Sequence, residues 1–458
     1  MSADSVLWVD AAVAPVDTFS LPVAEHADAV ADVIEMADRR FHHDVALVGL
    51  GYVGLPTALA FHAAGRKVIG LDVSAARLDA VRNERVDLVD SDRSRLRSAL
   101  ADDCFRLTDN SADLGTAHAV IIAVPTPIDD HLLPDLSILR AACAAVVENA
   151  VPGQIIILTS TTYVGTTADM LVGPLQERGF EIGTDLFVAF SPERIDPGND
   201  RYAHEDVTRV VGGVTRDCTR KAIELLGAYA VHVYEVSSPA AAELTKLYEN
   251  LFRAVNISLA NELADISRAL DVDVIEIINA AATKPYGFMP FFPGPGVGGH
   301  CIPCDPHYLL WQLRKKRLST PITEQAMAAV ASRPQRVVHR VREVLSENGF
   351  GLTGARVLLL GVAYKPNVAD VRESPAIEIA DGLRRAGAEV AFHDPLVSAM
   401  RLPDGSTMYS IDDPAAFGSD IVVVHTLHAD LELDWLRDVG VILDTSYRLR
   451  DLPQRVAL

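Results

Sequence analysis

The most constraining feature of the sequence is a short segment that begins at residue 45. Val45 to Val48 is apolar, and Gly49-Leu50-Gly51-Tyr52-Val53-Gly54 follows. Leu55 to Ala64 reads as a helix that Gly65 ends, and Lys67 to Leu71 as a second strand with Asp72 at its end. Strand, three-glycine turn, helix, strand and acid within about 30 residues predict a βαβ unit built to bind a dinucleotide. Gly49 permits the tight turn, Gly51 lets the backbone approach a pyrophosphate, and Gly54 lets helix and strand pack closely. Tyr52 and Val53 belong to the same turn and count with the cofactor site. The helix N-terminus adds a field that favours an anion. Asp72 can accept both ribose hydroxyls and would repel a 2′-phosphate, so the expected cofactor is NAD rather than NADP. Arg77 can lie over the adenine or reach a phosphate; a solvated helix arginine is the plainer alternative.

Further apolar runs at Ala119–Val124, Ile155–Leu158 and Leu186–Phe190 alternate with helical segments, the order of a parallel α/β sheet. Ala240 to Leu270 then reads as one long helix without glycine or proline. A helical segment at Val274–Ala282 and a proline- and glycine-rich loop at Pro285–Pro306 come next. The last third returns to α/β, with strands at Arg356–Leu360, Glu389–Phe392, Ile421–His425 and Val441–Leu443 and a helix at Ser374–Ala386. Its first turn is Gly361-Val362-Ala363-Tyr364-Lys365-Pro366, without three glycines, so its ligand need not be a dinucleotide. The expected fold class is α/β, two Rossmann-like doubly wound domains joined by a long central helix. The expected division is an acidic extension at 1–40, with an amphipathic helix at 23–38, then an NAD-binding domain at 41–238. A central helical connector with an active-site loop follows at 239–336, and a second Rossmann-like domain at 337–458.

Composition limits the function. The 458 residues carry 41 Lys and Arg against 62 Asp and Glu, a net charge of −21. A general nucleic-acid or anionic-membrane binder needs clustered basic residues, so both classes are disfavoured. No basic leader precedes an apolar stretch, and no apolar run reaches the ~18 residues of a membrane span, so a cytoplasmic protein is expected. Cys104, Cys143, Cys218, Cys301 and Cys304 are a sparse, odd set. They suit a reducing compartment, with one or two thiols available for chemistry.

The loop from Pro293 to Pro306 carries the strongest chemical signal. Four glycines and two prolines precede Cys301, which makes a shaped loop with exposed amides and Cys301 a candidate nucleophile. Asp305, four residues on, can orient water or act as a base. Cys301 and Cys304 also form a CxxC, which elsewhere marks half a zinc site or a redox pair. Zinc lacks the remaining ligands; a regulatory disulfide is the more plausible alternative, because oxidation would remove the nucleophile. On the long helix, Lys246, Asn250 and Arg253 share a face at i, i+4 and i+7; Glu243, Lys246 and Asn250 also read as ordinary pairs on a solvated face. Glu193, in Ser191-Pro192-Glu193-Arg194-Ile195-Asp196-Pro197-Gly198-Asn199, follows a strand end, where ligands sit in such sheets, and can be a base. Thr126, in Val124-Pro125-Thr126-Pro127, and Thr161, after Ser160, also follow strands and can touch the cofactor. Turn chemistry alone explains any one of these.

Taken together, GLGYVGLP (49–56), SPERIDPGN (191–199), ELTKLYENLFRAVNISLANEL (243–263), GPGVGGHCIPCDPHYL (294–309) and AYKPNVADVRESP (363–375) resemble the UDP-glucose/GDP-mannose dehydrogenase family over residues 44–450. The wording of 281–303 is most similar to the UDP-N-acetylglucosamine 6-dehydrogenase branch. The resemblance implies NAD-dependent, four-electron oxidation of the C6 hydroxyl of a UDP-sugar to a carboxylate, with Cys301 as the nucleophile of a thiohemiacetal and then a thioester. It implies that Lys246 and Asn250 face the developing oxyanion, and that Asp305, with a water near Thr161, takes the alcohol proton. Glu193 would assist thioester hydrolysis. Asp72, Arg77, Thr126 and Arg372 would hold NAD. Tyr364, Lys365, Arg253 and Gly298 would hold the nucleotide sugar, with Lys284 reaching across a homodimer or larger homo-oligomer formed through the long helix. Metal, nucleic acid and membrane are not implied. The chain departs from the family wording at Thr159, Val164, Val330, Arg333, Pro334 and Ser446. UDP-N-acetylglucosamine leads as substrate, ahead of UDP-N-acetylmannosamine and UDP-glucose. Two other classes stand beside this one: a two-electron hydroxyacid-type dehydrogenase and a non-catalytic nucleotide-sugar binder.

Overall fold

The computed structural model describes residues 41–194, 204–299, 301–429 and 431–458. The expected helix at 23–38, Ile195 to Asn199 of the SPERIDPGN segment, and His300 lie outside the described residues. Within them the chain divides into two compact units. The first runs to Leu251 and adds the segment up to Thr320 that holds Cys301; the second comprises Phe252–Gly299 and Pro321–Leu458.

The first unit is built on one sheet. Its strands are β1 (His43–Val48), β2 (Val68–Leu71), β3 (Phe105–Thr108), β4 (Ala117–Ile122), β5 (Ile155–Leu158), β6 (Phe187–Phe190), β7 (Arg209–Gly213) and β8 (Val233–Glu235). Their order is β3-β2-β1-β4-β5-β6-β7-β8. The first six are parallel, the doubly wound dinucleotide order. β7 turns back antiparallel to β6, and β8 pairs parallel to β7. The continuous apolar runs are explained by burial of both faces. Val45 and Leu47 of β1 pack in one core with Ile155 and Ile157 of β5, while Ala46 and Val48 pack in the opposite core with Ile156 and Leu158. A strand covered on both sides has no polar alternation to show. The covering helices are α1 (Gly54–Ala63), α2 (Ala75–Arg82), α3 (Asp90–Leu100), α4 (Ser137–Asn149), α5 (Gly173–Glu177) and α6 (Arg216–Leu226). Helix α2 starts at Ser74, whose hydroxyl accepts the Arg77 amide at 3.2 Å.

Helix α7 (Pro239–Ala269) is 31 residues long, and α8 (Val274–Ala282) follows. The sequence reading leaves residues 285–306 as loop, and the structure starts α9 (Asp305–Lys316) at the end of that stretch, with Pro306 in its first turn. Helix α10 (Pro321–Glu347) runs through an internal Pro334. In the second unit, β9 (Arg356–Leu360), α11 (Pro375–Arg385), β10 (Glu389–His393), a small ribbon of β11 (Ala399–Arg401) and β12 (Thr407–Tyr409), β13 (Ile421–Val424), β14 (Ile442–Asp444) and β15 (Arg455–Ala457) follow. The five-stranded sheet has the order β10-β9-β13-β14-β15 and is all parallel. That is the order β2-β1-β4-β5-β6 of the first unit again. Val357 and Leu359 face one core, Leu358 and Leu360 the other.

Candidate active site

The cofactor end of the first unit is set by the turn after β1. Gly49 has a φ of +90°, and a Cβ there would lie 2.6 Å from the Ala123 carbonyl. A Cβ on Gly54 would lie 1.8 Å from the Gly49 carbonyl. Packing alone demands both glycines. Gly51 differs, because a Cβ there would meet nothing within 4 Å. The protein's own contacts do not require glycine at that point, and a phosphate can approach the backbone. No side chain caps α1 at Val53, so no side chain of the protein takes up the anion-favouring field of its N-terminus. Asp72 ends β2 with its carboxylate fixed: one oxygen accepts the Leu50 amide and the other the Ser74 amide, both at 2.9 Å. Spare lone pairs remain for ribose hydroxyls. Arg77 donates from Nε to the Leu50 carbonyl at 2.7 Å, so its guanidinium lies on the glycine turn rather than in bulk solvent. Tyr52 is exposed and Val53 half-buried at the rim. These residues fit a dinucleotide.

The chemical cluster is assembled by α9 and the part of α7 before Phe252, both within the same unit. Asp305 is 4% exposed, and its backbone N–H donates to the Cys301 carbonyl at 2.8 Å. That bond holds the exposed Cys301 in the turn that leads into α9. Asn250 of α7, itself buried, donates from Nδ2 to Asp305 Oδ2 at 2.5 Å. Burial pushes the Asp305 carboxyl up to about 6, against the opposing charge of Lys246 and the Asn250 hydrogen bond. Lys246 is half-buried one turn from Asn250. Four residues that the sequence reading names, Cys301, Asp305, Asn250 and Lys246, are thus linked by geometry or field.

Three residues with no role in the sequence reading hold the frame. Glu243 is 1% exposed, which removes it from any solvated face. Its carboxylate accepts the Gly165 amide at 2.6 Å, and the Thr167 amide and hydroxyl at 2.9 and 2.7 Å. Gln312 of α9 pairs with both backbone groups of Val164, at 3.1 and 2.6 Å. The loop carrying the half-buried Thr161 is therefore tied to both helices. Tyr308, fully buried on α9, donates its hydroxyl to the carbonyls of Thr126 and Pro127 at 3.1 and 3.3 Å. The loops after β4 and β5 are set by one side of one helix, through residues four apart. Tyr308 lies inside the quoted GPGVGGHCIPCDPHYL motif, and its place there is the one signal the sequence offers.

Glu193 follows β6 and is 7% exposed. Arg209 of the antiparallel strand β7, also buried, donates to its Oε2 at 2.7 Å, and the Arg194 amide donates to Oε1 at 2.7 Å. The Arg209 guanidinium lies 5.4 Å from the centre of the Tyr229 ring. Arg194 pairs with Glu249 of α7 at 2.8 Å. The carboxylate is held as an acceptor by a partner that sequence spacing does not announce.

The remaining residues belong to the second unit. Arg253 is exposed on α7, and Lys284 is exposed just past α8, with Nζ 5.2 Å from the centre of the Tyr286 ring. A Cβ on Gly298 would lie 2.6 Å from the Glu373 carbonyl and 2.7 Å from the Tyr364 Cβ. The Gly299 amide donates to the Arg372 carbonyl at 3.1 Å. Tyr364 and Lys365 are half-buried after β9. The Arg372 guanidinium is engaged with Asp370, as close as 2.6 Å. The loop start is pinned at Gly294, whose amide donates to Asn261 at 2.9 Å and whose carbonyl accepts Arg333 Nε at 3.0 Å.

Comparison with known proteins gives a consistent result. Residues 43–230 match the profile described as UDP-glucose/GDP-mannose dehydrogenase family, NAD binding domain; residues 240–330 match the central domain and 358–449 the UDP binding domain of the same family. The chain is 32% identical over 414 residues to the UDP-N-acetyl-D-glucosamine 6-dehydrogenase of Pseudomonas aeruginosa, covering 88% of this chain and 97% of that one. It is 33% identical over 401 residues to the UDP-N-acetyl-D-mannosamine dehydrogenase of Pyrococcus horikoshii, covering 85% and 91%. The solved structure of the UDP-D-ManNAc dehydrogenase from Pyrococcus horikoshii aligns with a TM-score of 0.83 at 29% identity, over 90% of this chain and 98% of that one.

Proposed function

The chain belongs to the UDP-glucose/GDP-mannose dehydrogenase family, and from that premise we propose that it oxidises the C6 hydroxyl of UDP-N-acetylglucosamine to the carboxylate. The reaction class is that of an NAD-dependent UDP-sugar 6-dehydrogenase of the N-acetylhexosamine branch. The observation that carries the reading is an exposed Cys301 at the head of α9, backed by the buried Asp305–Asn250 pair and the charge of Lys246.

Bound NAD supplies the hydride acceptor for each two-electron oxidation, and Gly51, Asp72, Arg77 and Thr126 are the residues proposed to hold it. Asp305, with a water near Thr161, takes the proton of the alcohol; a carboxyl raised toward neutrality is suited to that transfer. Lys246 and the Asn250 amide lower the energy of the oxyanion that develops on the C6 oxygen. Cys301 sulfur adds to the aldehyde carbon. That carbon again bears an oxidisable C–H bond, so a second oxidation gives a thioester. Water cleaves the thioester to the carboxylate and restores the thiol. Glu193, held by Arg209, orients that water. The nucleotide sugar is held by Tyr364, Lys365, Arg253 and Gly298, and Arg372 completes the cofactor site. Exposed apolar side chains at Leu244, Tyr248, Phe252, Leu259 and Ile266 recur along α7 at fours and sevens, which supports a homodimer through that helix, with Lys284 reaching the partner's substrate.

The test is NADH yield per sugar across UDP-N-acetylglucosamine, UDP-N-acetylmannosamine and UDP-glucose under reducing conditions. Two NADH per UDP-N-acetylglucosamine, abolished in Cys301→Ser, is the expected result. One NADH per sugar would mean a two-electron enzyme, and binding without turnover a nucleotide-sugar binder.

A further inference from the structure

The second unit repeats a device of the first with one change. After β9, Gly361 has a φ of +73°, and a Cβ there would lie 1.8 Å from the Thr426 carbonyl that follows β13. Gly49 stands in the same relation to the carbonyl that follows β4. Asp394 ends β10 as Asp72 ends β2, and each accepts an amide from the turn after the neighbouring strand. Asp72 is half-buried and holds two amides. Asp394 is 4% exposed and fully engaged. One oxygen accepts Leu396 and Val397 at 2.9 and 3.0 Å, the other Val362 and Ala363 at 2.7 and 3.1 Å. His428 Nε2 lies 3.2 Å from that second oxygen. Where the first unit leaves lone pairs for a ribose, the second presents its acid to a side chain of its own.

His428 also reaches the other way. Its Nδ1 accepts the Asn367 amide at 2.9 Å, so Nε2 carries the ring proton and donates it to Asp394. Asn367 has a φ of +61°, and its Oδ1 accepts the Ala429 amide at 2.8 Å. The segment Tyr364–Asn367 is thus bolted at its far end to 428–429, and at its near end Tyr364 donates its amide to the Asp370 carbonyl at 3.0 Å. We propose that His428 is a positioning residue for the nucleotide sugar: bridging Asp394 and the Asn367 amide, it seals the acid and holds Lys365 in a single presentation. The uridine nucleotide is then recognised without an acid-to-ribose contact at Asp394. This inference rests on the assignment of Tyr364 and Lys365 to the nucleotide sugar made above.

The test is calorimetric binding of UDP and, separately, of NAD to the full chain, with hydrogen exchange of the 364–369 amides. His428→Ala should weaken UDP about tenfold, leave NAD unchanged and speed exchange in that segment. His428→Gln, which can accept and donate at similar reach, should recover most of the loss. Asn367→Gly, which keeps the left-handed backbone but removes the Ala429 anchor, should weaken UDP in the same direction and serves if His428→Ala does not fold. UDP affinity unchanged in both His428→Ala and Asn367→Gly would overturn the proposal, as would equal losses for UDP and NAD. A wild-type chain that binds NAD but not UDP would instead overturn the substrate assignment on which it rests.

Discussion

A carboxyl with almost no exposed surface is costly to ionise, and Asp305 is such a group. Its proton affinity is raised to about 6 by burial, from an ordinary value of 3.8. For an acid whose folded value lies above its unfolded one, stability is full below about pH 4 and is lost as pH rises through 6. The shift corresponds to roughly 3 kcal/mol of folding free energy forgone at neutral pH. Asp305→Asn should therefore raise the thermal midpoint while lowering kcat/KM by about 10²–10⁴-fold, the usual contribution of a positioned base. The acid limb of kcat/KM in the wild type should bend near pH 6. A variant that loses activity with no gain in midpoint would count against a buried, ionised Asp305. The pairing of Asp305 with Asn250 spans 55 residues. Helical spacing places Lys246 and Asn250 on one face, but only the likeness to a family put Asp305 opposite them. Glu243 shows the limit of spacing more sharply. It reads as a surface partner of Lys246, yet it is buried because its carboxylate accepts from the amides of Gly165 and Thr167, 76 to 78 residues away.

At the scale of elements, α9 does more than carry the chemistry. Its start signals, an acid and a proline in the first turn, merge in the sequence with the proline-rich loop before them. Buried Tyr308 and half-buried Gln312, one turn apart on the helix, fix the loops that bear Thr126 and Thr161. Tyr308→Phe leaves the ring in place and removes only the hydroxyl. It should cost about 1–3 kcal/mol for the carbonyls left without that donor and raise KM for NAD more than KM for the UDP-sugar, read by steady-state kinetics with each varied in turn. Equal effects on both would argue that Tyr308 serves packing alone. The strands were easy to see by contrast. Residues such as Ile155–Leu158 and Ile421–Val424 are apolar without a break because helices cover both faces of their sheets. Strand β7 was not visible: Arg209 looks like an ordinary strand-leading cation, and its antiparallel turn-back is decided by its pairing to β6.

On the scale of the whole molecule, the second unit repeats the order β2-β1-β4-β5-β6 of the first and sets buried histidines beside the acid that ends β10. In the second, His425 is 4% exposed, and burial drives its imidazole down to about 4. Asp394 beside it is held at about 2, because the His428 and Val362 hydrogen bonds outweigh the effect of burial. For a histidine whose folded value lies below its unfolded one, the stabilisation is present above pH 6.5 and is lost as pH falls toward 4, by roughly 1.4 kcal/mol per unit. Denaturant titrations across that range should show the second unit weakening steadily, and His425→Leu should flatten the trend. An unchanged slope in the variant would assign the acid sensitivity elsewhere. No helix among the described residues is long and apolar enough to cross a membrane.

The five cysteines differ in a way that has practical value. Cys143, Cys218 and Cys304 are buried, Cys104 is half-covered, and Cys301 alone is exposed. The fold therefore supplies its own titrant. A brief pulse of a bulky maleimide on native protein should add a single label per chain, readable as one mass increment, and that increment counts competent sites in any preparation. Preincubation with the correct sugar nucleotide should shield the thiol, which makes the same label a substrate screen that needs no turnover.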